Sequence, residues 1–510
     1  MVFVIRYLVF GRRAVTYLEV VKNCVGISYQ IISTESRITN HEYQIPKKTK
    51  MKKIIFIFFC IISISLSAQD TVQYFAQNQF FELVKSNHPI AQQAGLLDNM
   101  AIENLKVAKA GFDPKIKSDW ERKQFNDKQY YNVWKSGVNL PTWYGLEVDA
   151  GYDVASGEFL NPENYLPKQG VGYLGISANV LQGLIIDERR ANLQLANIEI
   201  NATNIQQQLI INELLYQSGK AYWDWVFANN QLVTFERALD LARTRFQIIQ
   251  ENYQIGEVAG IDTLKAVLQV QTREIEYSEA QNNLQNAIAH LSNYLWQNNE
   301  PSFLQLNTAA PNLKRLLFNV PNTNFNENHP ELLKVEYKLA SLEVDGRLKR
   351  EKLKPKLKLK YNLLGQEFDI LQNGQNDGVV VAQNYKAGVQ FEINPILRSE
   401  RANLEMNRIK VDQTNFEIIN KRLTLQNKLN AYLSDWNNNQ QQIILTRNIV
   451  KNYEMLLQGE LAKFKVGESD LFIVNTRETQ LIEAEIKLLK LLAKQQKIGL
   501  SLIWVNGALR

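Results

Sequence analysis

The sequence predicts a mixed α and β protein, internally duplicated: long coiled-coil helices forming an α-helical barrel, joined to a transmembrane β-barrel that several copies must share. Three observations predict it. A unit recurs along the chain, its long stretches of four-three apolar spacing keep their length between copies, and the stretch between them alternates apolar and polar residues.

In chain order, the first feature is a charge asymmetry. The 510 residues carry a formal charge of +6 and are 45% hydrophobic. Residues 1–68 hold ten Lys/Arg against three Glu, a balance of +7 that leaves −1 for the rest. A basic nucleic-acid surface is therefore not implied. Met51 opens a second beginning: Lys52-Lys53, an apolar run from Ile54 to Ile62, then Ser65-Leu66-Ser67-Ala68. Lysines, apolar core and small residues in that order read as a signal peptide over 51–68, cut after Ala68 or Ser67. Residues 1–50 then read as translation from an over-early start, with no domain of their own; the alternative is a structural N-terminal domain. Cys24 and Cys60, the two cysteines, both precede the cut. The mature chain is expected to hold no disulfide, thiolate site or lipid anchor. No later segment approaches about 20 uninterrupted apolar residues, so a membrane crossing must use strands.

The repeat organises the remainder. Asn87-His88-Pro89 recurs as Asn328-His329-Pro330 and Pro114-Lys115 as Pro355-Lys356, both offset by 241. Arg190-Ala191-Asn192-Leu193 recurs as Arg401-Ala402-Asn403-Leu404, Asp224-Trp225 as Asp435-Trp436, and Gly256 as Gly467, all offset by 211. The segment between the Pro-Lys pair and the Arg-Ala-Asn-Leu run is thus 30 residues longer in the first copy. These matches define a first repeat over 69–298, a linker over 299–325 and a second repeat over 326–510. Each repeat is read as a helix, β-strands (about 115–180 and 356–394) and a long helical hairpin. The hairpin turns fall at 254–262 and 464–471.

The length-locked stretches read as helix. From Phe235 the apolar residues fall at Leu239, Ala242, Phe246, Ile249 and Tyr253; after the second turn they fall at Leu481, Ala484, Leu488, Leu491, Ile498 and Leu502, with Gln495 the exception. Such spacing makes a coiled-coil seam, and Arg190 to Gly256 would span on the order of 100 Å. Helices side by side in one tube must end at the same height, which explains the fixed length.

The variable stretch reads as strand. Leu146, Val148, Ala150, Tyr152 and Val154 alternate with Glu147, Asp149, Gly151 and Asp153; Leu174, Ile176, Ala178 and Val180 alternate with small or polar residues. In the second copy Leu357, Leu359 and Tyr361 alternate with lysines and Asn362, and Tyr385 to Ile393 does the same. A half-buried soluble sheet has the same period. Export, charged polar faces and the nearby Trp134, Trp143, Tyr144 and Tyr173 favour strands that face lipid outside and water inside. The expectation is four strands per chain. Four strands cannot close around water, and open edges are forbidden in lipid, so several subunits must share one barrel.

Other signals point away from chemistry. His88, His290 and His329 show no metal-ligand spacing, and His88 and His329 precede prolines that open helices. Asp187-Glu188-Arg189-Arg190 reads as a charged helix start. No nucleophile elbow or phosphate-binding loop is present, so the chain is read as no enzyme, with no cofactor and no metal. Trp225 and Trp436 read as packing residues. The amide-rich patches Gln281–Gln285 and Asn437–Gln442 read as solvated helix faces.

Export, duplication, strands inserted between helices and two long hairpins together resemble the TolC-like outer-membrane efflux family, over about residues 75–505. The resemblance implies a homotrimer with a shared twelve-stranded outer-membrane barrel, continued by a helical barrel through the periplasm. As partners it implies a periplasmic adaptor (a membrane fusion protein), an inner-membrane transporter and outer-membrane lipid, and no nucleic acid. The function implied is an exit duct for efflux or type I secretion. In that family the helical turns form the periplasmic mouth where adaptor tips dock. Gly256, Glu257 and Val258 match the first turn closely, with Asp262 six positions after Gly256. Gly467, Glu468 and Ser469 match the second, but Ile473 stands where an acid would. Glu468 and Asp470 are the acids available to the mouth there. The alternative is a periplasmic coiled-coil adaptor or structural protein without a membrane barrel; an adaptor would show one hairpin flanked by halves of a β domain.

Overall fold

A computed structural model describes residues 75–305, 308–316, 324–366 and 384–509. The expected early start, the signal peptide, both cysteines and loop residues 371–383 lie outside the described residues. Helices α1 (Gln77–Asn87) and α2 (Pro89–Ala110) lead into strands β1 (Lys115–Phe125), β2 (Lys128–Pro141), β3 (Leu146–Ser156) and β4 (Val171–Asn179). Helix α3 (Glu188–Gln254) and helix α4 (Gly260–Ser292) form the first hairpin. A two-residue ladder, β5 (Trp296–Gln297) with β6 (Glu300–Pro301), precedes α5 (Pro330–Glu351), β7 (Lys356–Gln366) and β8 (Tyr385–Glu392). Helices α6 (Arg398–Lys465) and α7 (Leu471–Val505) form the second hairpin.

The starts of these helices follow from their sequences. His88 and His329 are N-caps whose Nδ1 atoms accept from the amides of Ile90 at 3.2 Å and Glu331 at 3.0 Å. A proline follows each, where a missing N–H costs nothing. Asp187 caps α3 by accepting from the Arg190 amide at 2.9 Å. That accounts for the charged cluster as a helix start.

Helices α3 and α6 run 67 and 68 residues, each about 100 Å long. Helices α4 and α7, at 33 and 35 residues, accompany them for about half that length. Along the remaining half, α2 packs on α3, and α5 packs between α3 and α6. Four helices therefore lie side by side at either height. The seams are those of the apolar spacing: Leu239, Ala242 and Ile249 are buried, as are Ala484, Leu488, Leu491, Ile498 and Leu502. Gln495 interrupts the seam and is itself 1% exposed, accepting from Asn439 Nδ2 at 2.7 Å. A buried amide pair at one seam position fixes helix register at some cost in stability.

The largest core sits midway along α3. Phe80 stacks on Tyr222 at 5.5 Å, Trp225 meets Phe75 edge-on at 6.1 Å, and Tyr222 Oη donates to the Phe75 carbonyl at 2.7 Å. The stretch between the repeats is tied to this core. Asn230 bonds the Pro311 carbonyl at 2.9 Å and the Leu313 amide at 3.2 Å, and Lys314 pairs with Glu485 at 2.8 Å. The Trp at the same place in the second repeat, Trp436, lies in a smaller cluster with Leu332, Leu425, Leu429 and Leu502.

Among the described residues, one antiparallel sheet carries six strands in the order β1-β2-β3-β4-β7-β8. This corrects the expectation of four strands per chain: the first repeat contributes four and the second two. The extra pair occupies residues 128–156, close to the 30-residue excess of the first copy. The register puts Trp134 beside Val154, Val138 beside Ala150, Ala150 beside Leu174, Leu174 beside Leu363, and Leu363 beside Tyr385. One face is thus mainly apolar from β2 to β8, while on β1 it mixes Ile116 and Trp120 with Ser118 and Arg122. The other carries Lys135, Asp153, Lys360 and Lys386 among small and amide residues. Strands β1 and β8, which end the order, are exposed at every position.

Candidate functional site

The chain has two specialised ends, separated by the length of α3. At one, the helical hairpins turn; at the other, the helices meet the sheet. Both turns close in the same way. Gly256 and Gly467 take φ of +81° and +78°, the left-handed conformation that glycine enters without strain. Around the first, the Gly256 amide donates to the Tyr253 carbonyl at 3.0 Å and the Glu257 amide to Asn252 at 2.9 Å. Around the second, the Gly467 amide donates to Phe464 at 3.1 Å and the Glu468 amide to Lys463 at 3.0 Å. These paired bonds satisfy the last helical carbonyls, so each glycine has a complete local reason to be there.

The residues singled out in the turns divide by burial. Glu257 and Glu468 are exposed. Val258 is half-buried against Ile249, Ala266 and Leu471, a small core that joins the two hairpins at their tips. Ser469 donates to the Glu460 carboxylate. Asp470 caps α7, accepting from the Phe472 amide at 3.1 Å, whereas Ala259 at the matching place leaves α4 without a side-chain cap.

Asp262 and Asp470 are brought together. Lys265 reaches Asp262 at 3.1 Å and Asp470 at 3.2 Å, bridging the first hairpin to the second. The acid missing at Ile473 is thus offset by Asp470, which reaches the same lysine from the capping position. The bonds to Asp262 and Asp470 raise the pKa of Lys265, and the Phe472 amide followed by Lys265 lowers that of Asp470. The pair therefore stays charged through the neutral range. Higher up, Arg245 pairs with the buried Glu478, and Arg273, 1% exposed, bonds Glu276 at 2.6 Å and Thr479 Oγ1 at 2.7 Å. These charges knit α3, α4 and α7 together.

A rim of apolar side chains at the tips was missed by reading the turns for glycines and acids. Ile255, Ile261 and Leu264 on the first, and Val466 and Phe472 on the second, are all more than half exposed. Their signal in the sequence was weak, because one apolar residue beside a helix end continues the ordinary helical period. Isolated exposed apolar residues are common, but a group of them at one end of the chain marks a contact surface.

At the other end, Arg189 on α3 and Lys358 on β7 converge on Glu147 of β3 at 2.7 and 3.0 Å. Glu351 at the end of α5 accepts from the Gly183 amide at 3.2 Å. Helices from both repeats are thereby fixed to the strands. Among the described residues, no group of three or more His, Cys, Asp or Glu could hold a metal ion. None of the described helices is long and apolar enough to cross a membrane.

The sequence matches no family model and no curated protein. Solved structures, however, share the fold along nearly the whole chain. The Campylobacter jejuni CmeC outer membrane channel is 13% identical, with 93% of this chain and 94% of that one covered at a TM-score of 0.59. The Vibrio cholerae outer membrane protein VceC is 13% identical over 84% of this chain and 96% of its own, at 0.57. The open state of the Neisseria gonorrhoeae MtrE outer membrane channel is 11% identical over 87% and 94%, at 0.60. The fold is that of the TolC-like channels, a helical barrel segment joined to a β-barrel segment.

Proposed function

We propose that this chain is a subunit of a homotrimeric outer-membrane channel, an exit duct for efflux or type I secretion. Its sheet spans the outer membrane and its helices cross the periplasm. The duct performs no chemistry. The exposed tips around Gly256, Glu257, Val258, Gly467, Glu468 and Ser469 dock a periplasmic adaptor, and an inner-membrane transporter supplies the energy. Asp262, Glu468 and Asp470 set the charge of the periplasmic mouth.

The observation that carries this reading is the union of two incomplete surfaces in one chain. The sheet is mainly apolar on one face, charged on the other and open at both edges, and it continues directly into a four-helix layer about 100 Å long. In lipid such edges must be paired, and closure of the sheet with other copies pairs them while enclosing the charged face. The fold shared with outer-membrane channels supports the same reading.

Fractionation of expressing cells tests it. The protein is expected in the outer-membrane fraction, extractable only with detergent, and to give stepwise conductance in planar bilayers. Release with the soluble periplasmic contents, or bilayers that stay silent, would refute it. Photo-crosslinkers at Ile255 or Val466 are expected to capture an adaptor; capture solely at the strand loop 157–170 would reverse the proposed orientation.

A further inference from the structure

We propose that each chain inserts six strands, not four, into the shared barrel, with β1 of one copy pairing β8 of the next to close eighteen strands around a porin-wide lumen. The inference rests on the duct reading above.

The inserted strands β2 and β3 are integral to the sheet. Ladders run on both sides of them, β1 to β2 from Lys115↔Asn139 onward and β3 to β4 from Leu146↔Ala178 onward. Tyr173 of β4 reaches over both strands on the charged face. A Cβ at Gly151 or at Gly137 would come within 2.5 Å of its hydroxyl, so each inserted strand carries a glycine where that ring passes. The turn between them is seated too: Trp143 stacks on Phe112 at 4.5 Å, at the entry to β1.

Circumference supports the count independently. Four helices about 9.5 Å apart occupy roughly 38 Å of arc. Six strands about 4.8 Å apart and tilted by about 40° also occupy roughly 38 Å, whereas four occupy about 25 Å. With six strands the barrel continues the helical tube without narrowing. Three copies then close a barrel about 36 Å across between backbones, against about 24 Å for twelve strands. Barrels of 16–18 strands keep an open aqueous channel, so the outer end of this duct is wide enough to stay water-filled.

The two free edges fit one another. Beside the helices, β1 begins with Lys115 and Lys117 while β8 ends with Glu392, which already pairs with Lys356 of its own chain; towards the loops, β1 carries Asp119 and Glu121, then Arg122 and Lys123, while β8 carries Lys386. Run antiparallel with Lys115 opposite Glu392, the edges set Glu121 opposite Lys386 and leave Lys123 beyond the end of β8, so the directly opposed charges are unlike.

Cysteine pairs read the neighbour of β8 directly. Ile116→Cys or Ser118→Cys on β1 is combined with Val389→Cys or Phe391→Cys on β8, in the full chain extracted from outer membranes. Oxidation is expected to link neighbouring copies into covalent trimers for at least one combination. The parallel set with Val148→Cys or Ala150→Cys on β3 is expected to give none, because β3 is flanked within its own chain. Linkage from β8 to β3, or none from β8 to β1 while the trimer persists, overturns the eighteen-stranded barrel and leaves the duct standing. A soluble monomer overturns both. A strand count by electron cryo-microscopy of the unmodified trimer covers the case of disruptive cysteines: eighteen agrees and twelve contradicts.

Discussion

The two repeats of this chain agree where they are helical and disagree where they are strand. Helices α3 and α6 differ by one residue and α4 and α7 by two, while the first repeat adds four strands to the sheet and the second adds two. Helices standing in one tube must share their end points, because a displaced tip would leave the Lys265 bridge and the Val258 core unmatched. A sheet carries no such constraint along its width. Adding a hairpin alters the circumference, and its turn at 142–145 is seated at the junction with the helices, beside Arg190, without changing where the helices end. The comparison teaches which dimension of the molecule is fixed by packing and which is free to vary.

The largest effect should come from breaking the height match. Removing seven residues from both limbs of the first hairpin, Ala242–Ile248 and Leu268–Glu274, would lower its tip by about 10 Å. Cells are expected to lose solute extrusion entirely, and the matching removal in the second hairpin (Tyr453–Gly459 with Thr479–Glu485) should restore part of it. An equal removal inside the loop 157–170 should change extrusion less than about twofold, since loops tolerate length change. Equal loss from both removals would dissolve the contrast.

Next come the paired tryptophans. Trp225→Ala and Trp436→Ala should each cost about 3–5 kcal/mol in chemical unfolding followed through the helical signal. Trp225 should be the more costly, because it is fully buried in ring contacts within the largest core and Trp436 lies in a smaller cluster. At the turns, Gly256→Ala and Gly467→Ala should cost about 1–2 kcal/mol each, from placing a side chain in the left-handed region. Faster amide exchange confined to the altered tip would show this.

Acidity should act on the caps. Burial lowers the pKa of His88 and of His329 below the unfolded value, so the unfolded chain binds protons more readily. Their contribution is complete above about pH 6.5 and declines as pH falls towards the lowered folded values. His329→Asn keeps an N-cap acceptor and should flatten the decline of melting temperature over that range. The smallest effect on stability belongs to Lys265→Met, whose exposed bridge is screened by water. It should leave melting unchanged and raise the resting conductance, which separates a mouth charge from a structural one.

Much of this was legible because repetition and period survive without contacts. Offsets of 211 located both turns, and four-three spacing named seam residues such as Leu239 and Leu488 that the structure buries. The first hairpin of the sheet was harder. Along β1 the face shared with Ile116 and Trp120 also carries Ser118, Arg122 and Gln124, so its alternation is blurred. Its side chains find partners across the ladder, where Trp120 Nε1 donates to Asn132 at 2.8 Å and Trp134 Nε1 to Ser118 Oγ at 2.8 Å, and within β1, where Arg122 donates to Gln124 at 3.4 Å. The tip bridge was hidden for a similar reason. Lys265 and Asp470 stand 205 positions apart, and only the folded hairpins bring them together.

Native mass spectrometry of the detergent-extracted, unmodified protein tests the central claim most directly. The mass of three identical chains, surviving mild activation, is the result expected of subunits that share one barrel. A stable monomer that retains its full sheet would contradict it, because the exposed edges of β1 and β8 would then need no partner.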